Sequence, residues 1–499
     1  MSNIRRQSII SSLVIYFGFA VGLLNTYFFT RQGNFTVDQY GLTTVALAIA
    51  IMMSSFSMLA MPSYIFKFYH HYNDYVPPKK NDMLTWALLV STIGFLVVMV
   101  IGWALKDLVI KKYGTHAPLL VQYYYWIFPL GFGLTIYTVL EAFAWNAGKS
   151  VLTNYFREVQ WRLLITVIIV LLFVGVIRDF DTFIKLYSFS YLSIAISLFA
   201  YLYFKGFIQF TIRPSKVSKR LCKQILIYCA FVFGSSFIFN ISQVFDSFVL
   251  ASLKGLDVAG VFGFATIITS LIQAPQRGIV AAAVTHLSKA WKDKNIPQLQ
   301  RIYQRSSINL LIFACCIFLL IWLNYAAAVT TFQLHPTYQS GAWVFFLLGI
   351  TRIIDMGTGV NQHMLMTSNY WRFELLSGVL LLALMLPLTY FFAKQMGLIG
   401  PAIATLISVS IYNVIRILFL WKKHRLQPFS TQTLYTLLLA GMCYAICYFS
   451  FRNMEGFIGM FVRSIAFLSL YLLGVIYFNL SPDVAPVWQT IKKRLRLSA

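Results

Sequence analysis

Long apolar runs separated by short polar connectors set the pattern of this chain. About fourteen of them approach the roughly 20 residues an α-helix needs to cross the hydrocarbon of a bilayer. They fall near 8–29, 40–66, 83–105, 119–144, 160–177, 183–204, 224–252, 258–284, 306–328, 341–365, 372–393, 398–421, 433–450 and 457–479. Only connectors and two tails remain, too short for a soluble domain. The pattern predicts an all-α integral membrane protein that works within the bilayer or at its two surfaces.

Composition and charge support this. Of 499 residues, 59% are hydrophobic and 11% charged, against about 25% charged in a soluble protein. A net charge of +25 would suggest nucleic acid in a soluble chain. Here the placement of the charges argues against that partner. With a cytoplasmic N-terminus, most Lys and Arg fall in the inner loops and tails, as the positive-inside bias requires. Both termini are therefore expected in the cytoplasm. The basic clusters at 205–223 and 289–305, and Lys492, Lys493, Arg494 and Arg496, are expected to meet anionic membrane lipids. The first span follows Arg5 and Arg6, is too long for a signal-peptide core and has no convincing small-x-small cleavage site, so it is expected to be retained. The six cysteines lie in or beside spans and read as small buried hydrophobes, with no disulfide and no metal set implied.

The chain shows signs of duplication. Asn154-Tyr155-Phe156-Arg157 returns 215 positions later as Asn369-Tyr370-Trp371-Arg372, each copy just before a span. A weaker match relates Asp38-Gln39-Tyr40-Gly41 to Asp257-Val258-Ala259-Gly260. An even number of helices per half gives parallel repeats, related by a pseudo-two-fold axis along the membrane normal, with a substrate path between them. The expected organisation is a six-helix bundle at 1–204, a basic cytoplasmic linker at 205–223, a second six-helix bundle at 224–425, and two extra helices with a basic tail at 426–499.

Charges inside spans are costly, roughly 2.5–3.5 kcal/mol each at mid-helix on insertion scales. Four were counted: Glu141, Asp246, Arg352 and Asp355. Arg352 and Asp355 are one turn apart and read either as a self-neutralising pair or as a phosphate contact with its orienting acid. The repeat places Glu141 one residue from the counterpart of Asp355, so the two acids are expected to face each other. Asp246, Gln243 and Asn240 form a polar stripe on span seven, read as cavity lining, a helix–helix contact or an ion site. Asn25 is its counterpart on span one. Arg157 and Arg372 read as headgroup-layer anchors or as contacts to a phosphate arriving from the cytoplasmic leaflet. Asn361, Gln362 and His363 approach the inner surface. Two strings carry less: Asp179-Phe180-Asp181 sits on a very short loop, and His70-His71, near Asp74 and Asp82, reads as solvated loop rather than a metal site. No Gly-x-x-x-x-Gly-Lys-Ser/Thr loop is present, so no nucleotide cofactor is expected; an ion such as H+ or Na+, the membrane potential or the substrate gradient would drive transport.

The segment 361–429 adds a resemblance. Thr367-Ser368-Asn369-Tyr370-Trp371-Arg372, Gly397-Leu398-Ile399-Gly400-Pro401-Ala402, Asn413, Arg416 and Gln427-Pro428-Phe429 are similar to bacterial polysaccharide exporters of the multidrug/oligosaccharidyl-lipid/polysaccharide superfamily. Asp246 through Trp291, with Lys254-Gly255-Leu256 and Val261-Phe262-Gly263, and Tyr40-Gly41-Leu42 extend the likeness over nearly the whole chain. Pro401 departs from the small residue common there. The resemblance implies a MATE-like fold in the bacterial inner membrane and no enzyme activity. It implies a flippase for lipid-linked oligosaccharide of the O-antigen, capsule or exopolysaccharide type, with polysaccharide polymerase machinery as a partner. A lipid II-type flippase and a cation-coupled multidrug exporter of the same superfamily are the alternatives. A membrane enzyme fits poorly, because the outer loops are short.

Overall fold

Capping side chains mark where helices begin. Thr36 Oγ1 accepts the Gln39 N–H at 3.2 Å while Gln39 Oε1 takes the Thr36 N–H at 3.0 Å. This reciprocal cap opens a helix with Asp38 in its first turn, where a negative charge suits the helix dipole. Asp179, Ser215 and Asn295 each accept an N–H three residues on in the same way. The Asp179-Phe180-Asp181 string is thereby explained: Asp179 is a cap and Asp181 pairs with Lys185 at 2.5 Å.

The computed structural model describes residues 2–483, with side chains from residue 13 apart from those at 235, 236, 238, 239, 277, 278, 281, 282, 285 and 371, and contains helices but no strand among the described residues. The cluster Lys492, Lys493, Arg494 and Arg496 and the side chains of Arg5 and Arg6 lie outside the described residues. The chain gathers into two units, Met1–Gly260 and Val261–Ala499. The first contains α1 (Ser2–Thr30), α2 (Val37–Ser57), α3 (Met61–Tyr75), α4 (Met83–Ala104), α5 (Lys106–Tyr113), α6 (Pro118–Gln122), α7 (Ile127–Asn146), α8 (Ser150–Asn154), α9 (Trp161–Phe173), α10 (Phe180–Ser188), α11 (Ser190–Phe204) and α12 (Lys216–Leu253). After α13 (Leu256–Ser270) the second continues with α14 (Ala274–Lys292), α15 (Ile296–Thr331), α16 (Ala342–Gly357), α17 (Asn361–Met366), α18 (Trp371–Met396), α19 (Gly400–His424), α20 (Thr431–Ser450) and α21 (Gly456–Tyr477).

Among the described residues, 11 helical stretches are long and apolar enough to cross a membrane. One of them, at 372–424, is the hairpin of α18 and α19. Counting that hairpin twice and adding α9 and α12 recovers the fourteen crossings.

Several spans are interrupted where the apolar pattern runs straight through. The 40–66 run breaks at Leu59 and Ala60, which adopt left-handed φ of 46° and 61°, and α3 restarts with Pro62 in its first turn. The 258–284 run breaks at Leu271–Gln273, ahead of Pro275, and the 341–365 run at Gly359 with φ 66°. Hydropathy carries no record of backbone dihedrals, so a turn built of apolar residues reads like the helices it joins.

In the first unit α7 is the enclosed helix, with 78% of its apolar window buried against 33% for the stretch containing α4. Apolar faces of α2, α3, α4 and α11 surround it. Gly41 and Gly260, matching glycines of the weaker repeat, lie back to back: a Cβ on Gly41 would meet Leu256 O at 1.9 Å, and one on Gly260 the Gly41 Cα at 3.0 Å. In the second unit α15 is central; α20 and α21 pack on it through Cys315, Cys443, Cys447, Phe467 and Tyr471. The buried cysteines there are free, as small hydrophobes.

Asp82 is a correction. Expected on a solvated loop, it is fully buried. Its Oδ2 accepts the Ser215 N–H at 2.9 Å and the Ser218 hydroxyl at 2.6 Å, and the Tyr72 hydroxyl lies 2.7 Å from Ser218 Oγ. The carboxylate thus ties the foot of α12 to α3 and α4. Burial pushes the Tyr72 phenol pKa up.

Candidate functional site

Polar side chains are scarce inside these helices, so their partners define the candidate site. In the first unit Glu141 sits on α7, 6% exposed. Arg157 Nη1 reaches its Oε2 at 3.0 Å. Glu141 Oε1 has no hydrogen-bond partner among the described residues. Arg157 comes from Tyr155–Gln160, a π-helical turn between α8 and α9. Such turns are rare and gather at functional sites. On the next turn Arg162 pairs with Glu158 at 3.0 Å. The strand of contacts that positions Arg157 starts on α7: Tyr137 donates to Thr153 O at 2.6 Å and Trp145 Nε1 to Thr153 Oγ1 at 2.7 Å, fixing α8.

α1 approaches this turn closely. A Cβ on Gly18 would lie 2.4 Å from Glu158 O, and one on Gly22 3.0 Å from Arg162 Nε. Asn25, one helical face further along, donates to Arg162 O at 2.8 Å and accepts from Thr166 Oγ1 at 2.6 Å. Its amide is committed to clamping α1 onto α9. On α12, Asp246 and Asn240 are half-buried and Gln243 is exposed.

In the second unit the centre is an ion pair between α18 and α19. Arg416 is 1% exposed. Its Nε donates to Glu374 Oε2 at 2.9 Å, and Nη2 bonds both Glu374 Oε1 and the Tyr412 hydroxyl. The guanidinium also lies over the Tyr412 ring, 3.5 Å from its centroid. Planar guanidinium suits such a two-pronged carboxylate contact with stacking. Arg416 Nη1 reaches Asn361 Oδ1 at 3.5 Å; Asn361 Nδ2 donates to Asn413 Oδ1 at 2.8 Å, which also accepts from Thr358 at 3.0 Å. Asn413 Nδ2 then donates to Asp355 Oδ1 at 3.3 Å. Asp355 is therefore the end of a polar chain that begins at Glu374.

The count of four charges within spans is corrected. Arg162, Lys185, Arg277, Arg372, Glu374 and Arg416 also lie within the expected spans, and so does Arg463, 9% exposed on α21 with Nε 3.3 Å from Gly459 O. Arg352 is half-buried on α16, one turn before Asp355, and Asp355 Oδ1 accepts from Asn413 Nδ2. Arg372 is exposed at the start of α18, and Arg157, its counterpart in the repeated tetrapeptide, pairs with Glu141. His363 is half-buried on α17. Arg416 and Glu374 were open to sequence reasoning as one base and one acid within consecutive apolar runs. The π turn carries no comparable signal.

Among the described residues no group of three or more His, Cys, Asp and Glu could hold a metal ion. The chemistry available is that of buried ion pairs and amide networks.

The fold is that of multi-helix membrane transporters. A structure described as "Lipid II flippase MurJ, inward closed conformation" is similar with a TM-score of 0.76 at 15% identity, over 94% of this chain and 99% of that one. An inward-facing multidrug resistance MATE family transporter of the MOP superfamily is similar with a TM-score of 0.66 at 14% identity, over 83% of this chain and 98% of that one. A MOP superfamily transporter from Pyrococcus furiosus gives 0.55 at 14% identity, over 84% and 95%. At these identities the likeness concerns the fold. No curated protein sequence matches the chain. The profile of the polysaccharide biosynthesis protein family matches residues 4–291, and the chain belongs to that family. A member of the polysaccharide biosynthesis family thus carries the helical fold seen in these flippase and transporter structures.

Proposed function

We propose that this protein flips polyprenyl-linked oligosaccharide, a repeat unit of O-antigen, capsule or exopolysaccharide, from the cytoplasmic to the outer leaflet by alternating access. Membership of the polysaccharide biosynthesis family carries this reading. The physical need agrees with it: a sugar headgroup cannot enter hydrocarbon without losing its hydrogen bonds to water. The protein would act in a bacterial inner membrane with both termini cytoplasmic, without enzyme activity, alongside a polysaccharide polymerase. The parts would be bundles at 1–204 and 224–425, the linker at 205–223, and the additional helices at 426–499. Glu141, Asp246, Arg352 and Asp355 would belong to the substrate and ion pathway, with Asn25, Asn240 and Gln243 supporting it. Arg157 and Arg372 would meet the carrier's phosphates. The coupling ion would be H+ or Na+.

One observation favours a second reading, a lipid II-type flippase. Cationic side chains do occur within the helices of the first unit, at Arg157 and Arg162. Both are paired with glutamates there, which lowers their power to attract a pyrophosphate and keeps the first reading ahead.

The test is a proteoliposome assay in which labelled lipid-linked oligosaccharide becomes accessible from the far leaflet. Transport of that substrate, with lipid II and a cationic dye left behind, is the expected result. Equal movement of the bare carrier lipid overturns the substrate class. Full transport by both Glu141→Gln and Asp355→Asn removes those acids from the pathway.

A further inference from the structure

A hollow of about 460 Å³ opens in the first unit where the chain leaves α11 for the linker. Pockets for small molecules run from roughly 300 to 1,000 Å³. Its walls come from the ends of α3 and α7, the connector before α4 and residues 206–209. The floor is apolar and buried: Val76, Leu84, Phe143 and Ile208. Tyr69 packs edge-on against Phe143, with ring centroids 5.9 Å apart. Around this floor stand His70, Asn73, Asn81, Asn146 and Gln209. No lining residue is Asp, Glu, Lys or Arg.

Two of the amides are half spent. Asn81 Oδ1 accepts the Met83 N–H at 3.1 Å, which leaves its NH2 group to donate. Asn146 Nδ2 donates to Ala142 O at 2.9 Å, which leaves its carbonyl oxygen to accept. One fixed donor and one fixed acceptor suit a ligand whose groups both give and take hydrogen bonds, and hydroxyls do both. An aromatic and aliphatic floor suits the C–H face of a pyranose ring. A charged ligand would lose water here with no opposite charge in the lining to replace it.

We propose that this hollow is a binding site for an uncharged sugar. None of its lining residues takes part in the Glu141–Arg157 pair, so the site is additional to that one. It rests on the chemistry of the lining; under the flippase reading, the sugar is the headgroup of the lipid-linked substrate before it crosses. His70, which fits no metal site, then has a place on the rim.

The experiment uses the full chain in lipid nanodiscs and saturation-transfer NMR. The probes are methyl glycosides of glucose, galactose, mannose and N-acetylglucosamine, with glucuronate and glucose 1-phosphate as charged controls. At least one neutral glycoside should receive saturation, and the controls should not. Asn146→Leu and Gln209→Leu should weaken that binding tenfold or more. Asn81→Asp keeps the acceptor that serves Met83 and removes the donor, so it should weaken binding without loss of fold. Silence from all four glycosides, equal binding by the variants, or preference for the charged controls overturns the proposal. The assay needs no transport, so it separates the two readings. Sugar binding without flipping keeps this site and counts against the flippase; flipping without sugar binding does the reverse.

Discussion

The two units hold their buried charges in opposite ways. In the first, Arg157 keeps 45% of its side chain exposed while Glu141 is 8% exposed. In the second, Arg416 and Glu374 are 2% and 9% exposed and share two hydrogen bonds. A half-exposed pair is held weakly, because water competes for the cation. A fully buried pair is bound by consequence: neither partner can lose the other without leaving a bare charge in a low-dielectric interior. The first arrangement is suited to exchanging partners, the second to holding two helices in register.

The largest effect should come from breaking the second pair. Glu374→Gln strands the Arg416 charge and should cost about 3–5 kcal/mol. Thermal unfolding of the detergent-solubilised protein checks this. The double variant Glu374→Leu with Arg416→Met should melt closer to the wild type than either single change. Equal melting of all four proteins would erase the distinction between the units.

Gly18→Leu comes next. Its side chain would enter the space occupied by the Glu158 carbonyl, and α1 must move away at about 1–3 kcal/mol. The same melting assay reports it. Gly33, with nothing within 4 Å of an added Cβ but a φ of 88°, is the control for strain without crowding.

Arg157→Ala should cost less than Glu374→Gln, about 1–2 kcal/mol, because the Glu141 carboxylate left behind can take up a proton, whereas a stranded guanidinium cannot shed one. If Arg157 exchanges Glu141 for a substrate phosphate, transport should fall far more than the melting temperature. A parallel loss of both would make the first pair as structural as the second.

The smallest effect concerns pH. Arg305 and Asn309 hydrogen-bond the Asp483 carboxylate and hold its pKa below the ordinary carboxylate value. A carboxylate depressed on folding stabilises the folded state above the unfolded pKa of about 3.9 and loses that contribution as pH falls through the folded value. With both side chains partly exposed, about 1 kcal/mol or less is at stake. Asp483→Asn should flatten that part of the melting profile below about pH 4.

The apolar pattern was enough for the helical membrane fold and the crossings, because bilayer thickness fixes helix length directly. It could not show the breaks at Leu59–Ala60 and Gly359, which are backbone conformations hidden in apolar stretches. Glu141 and Asp355 were legible as costly charges, but their partners were not. Arg157 lies 16 residues on, in the irregular turn beyond α8, and Asn413 lies on another helix altogether. Glu374 and Arg416 stand within consecutive apolar runs, but nothing in the runs shows that they meet. Asp82 looked like loop because its ligands, Ser215 and Ser218, are more than a hundred residues away.

The 38 residues of α12 amount to about 57 Å at 1.5 Å per residue, nearly twice the roughly 30 Å of bilayer hydrocarbon. A rod of that length overhangs the apolar slab, and its basic first turns stand among the phosphates. Its foot is held to α3 and α4 through Asp82, so the overhanging turns are fixed to the helices beside them. A single buried carboxylate thereby anchors the end of the longest helix among the described residues.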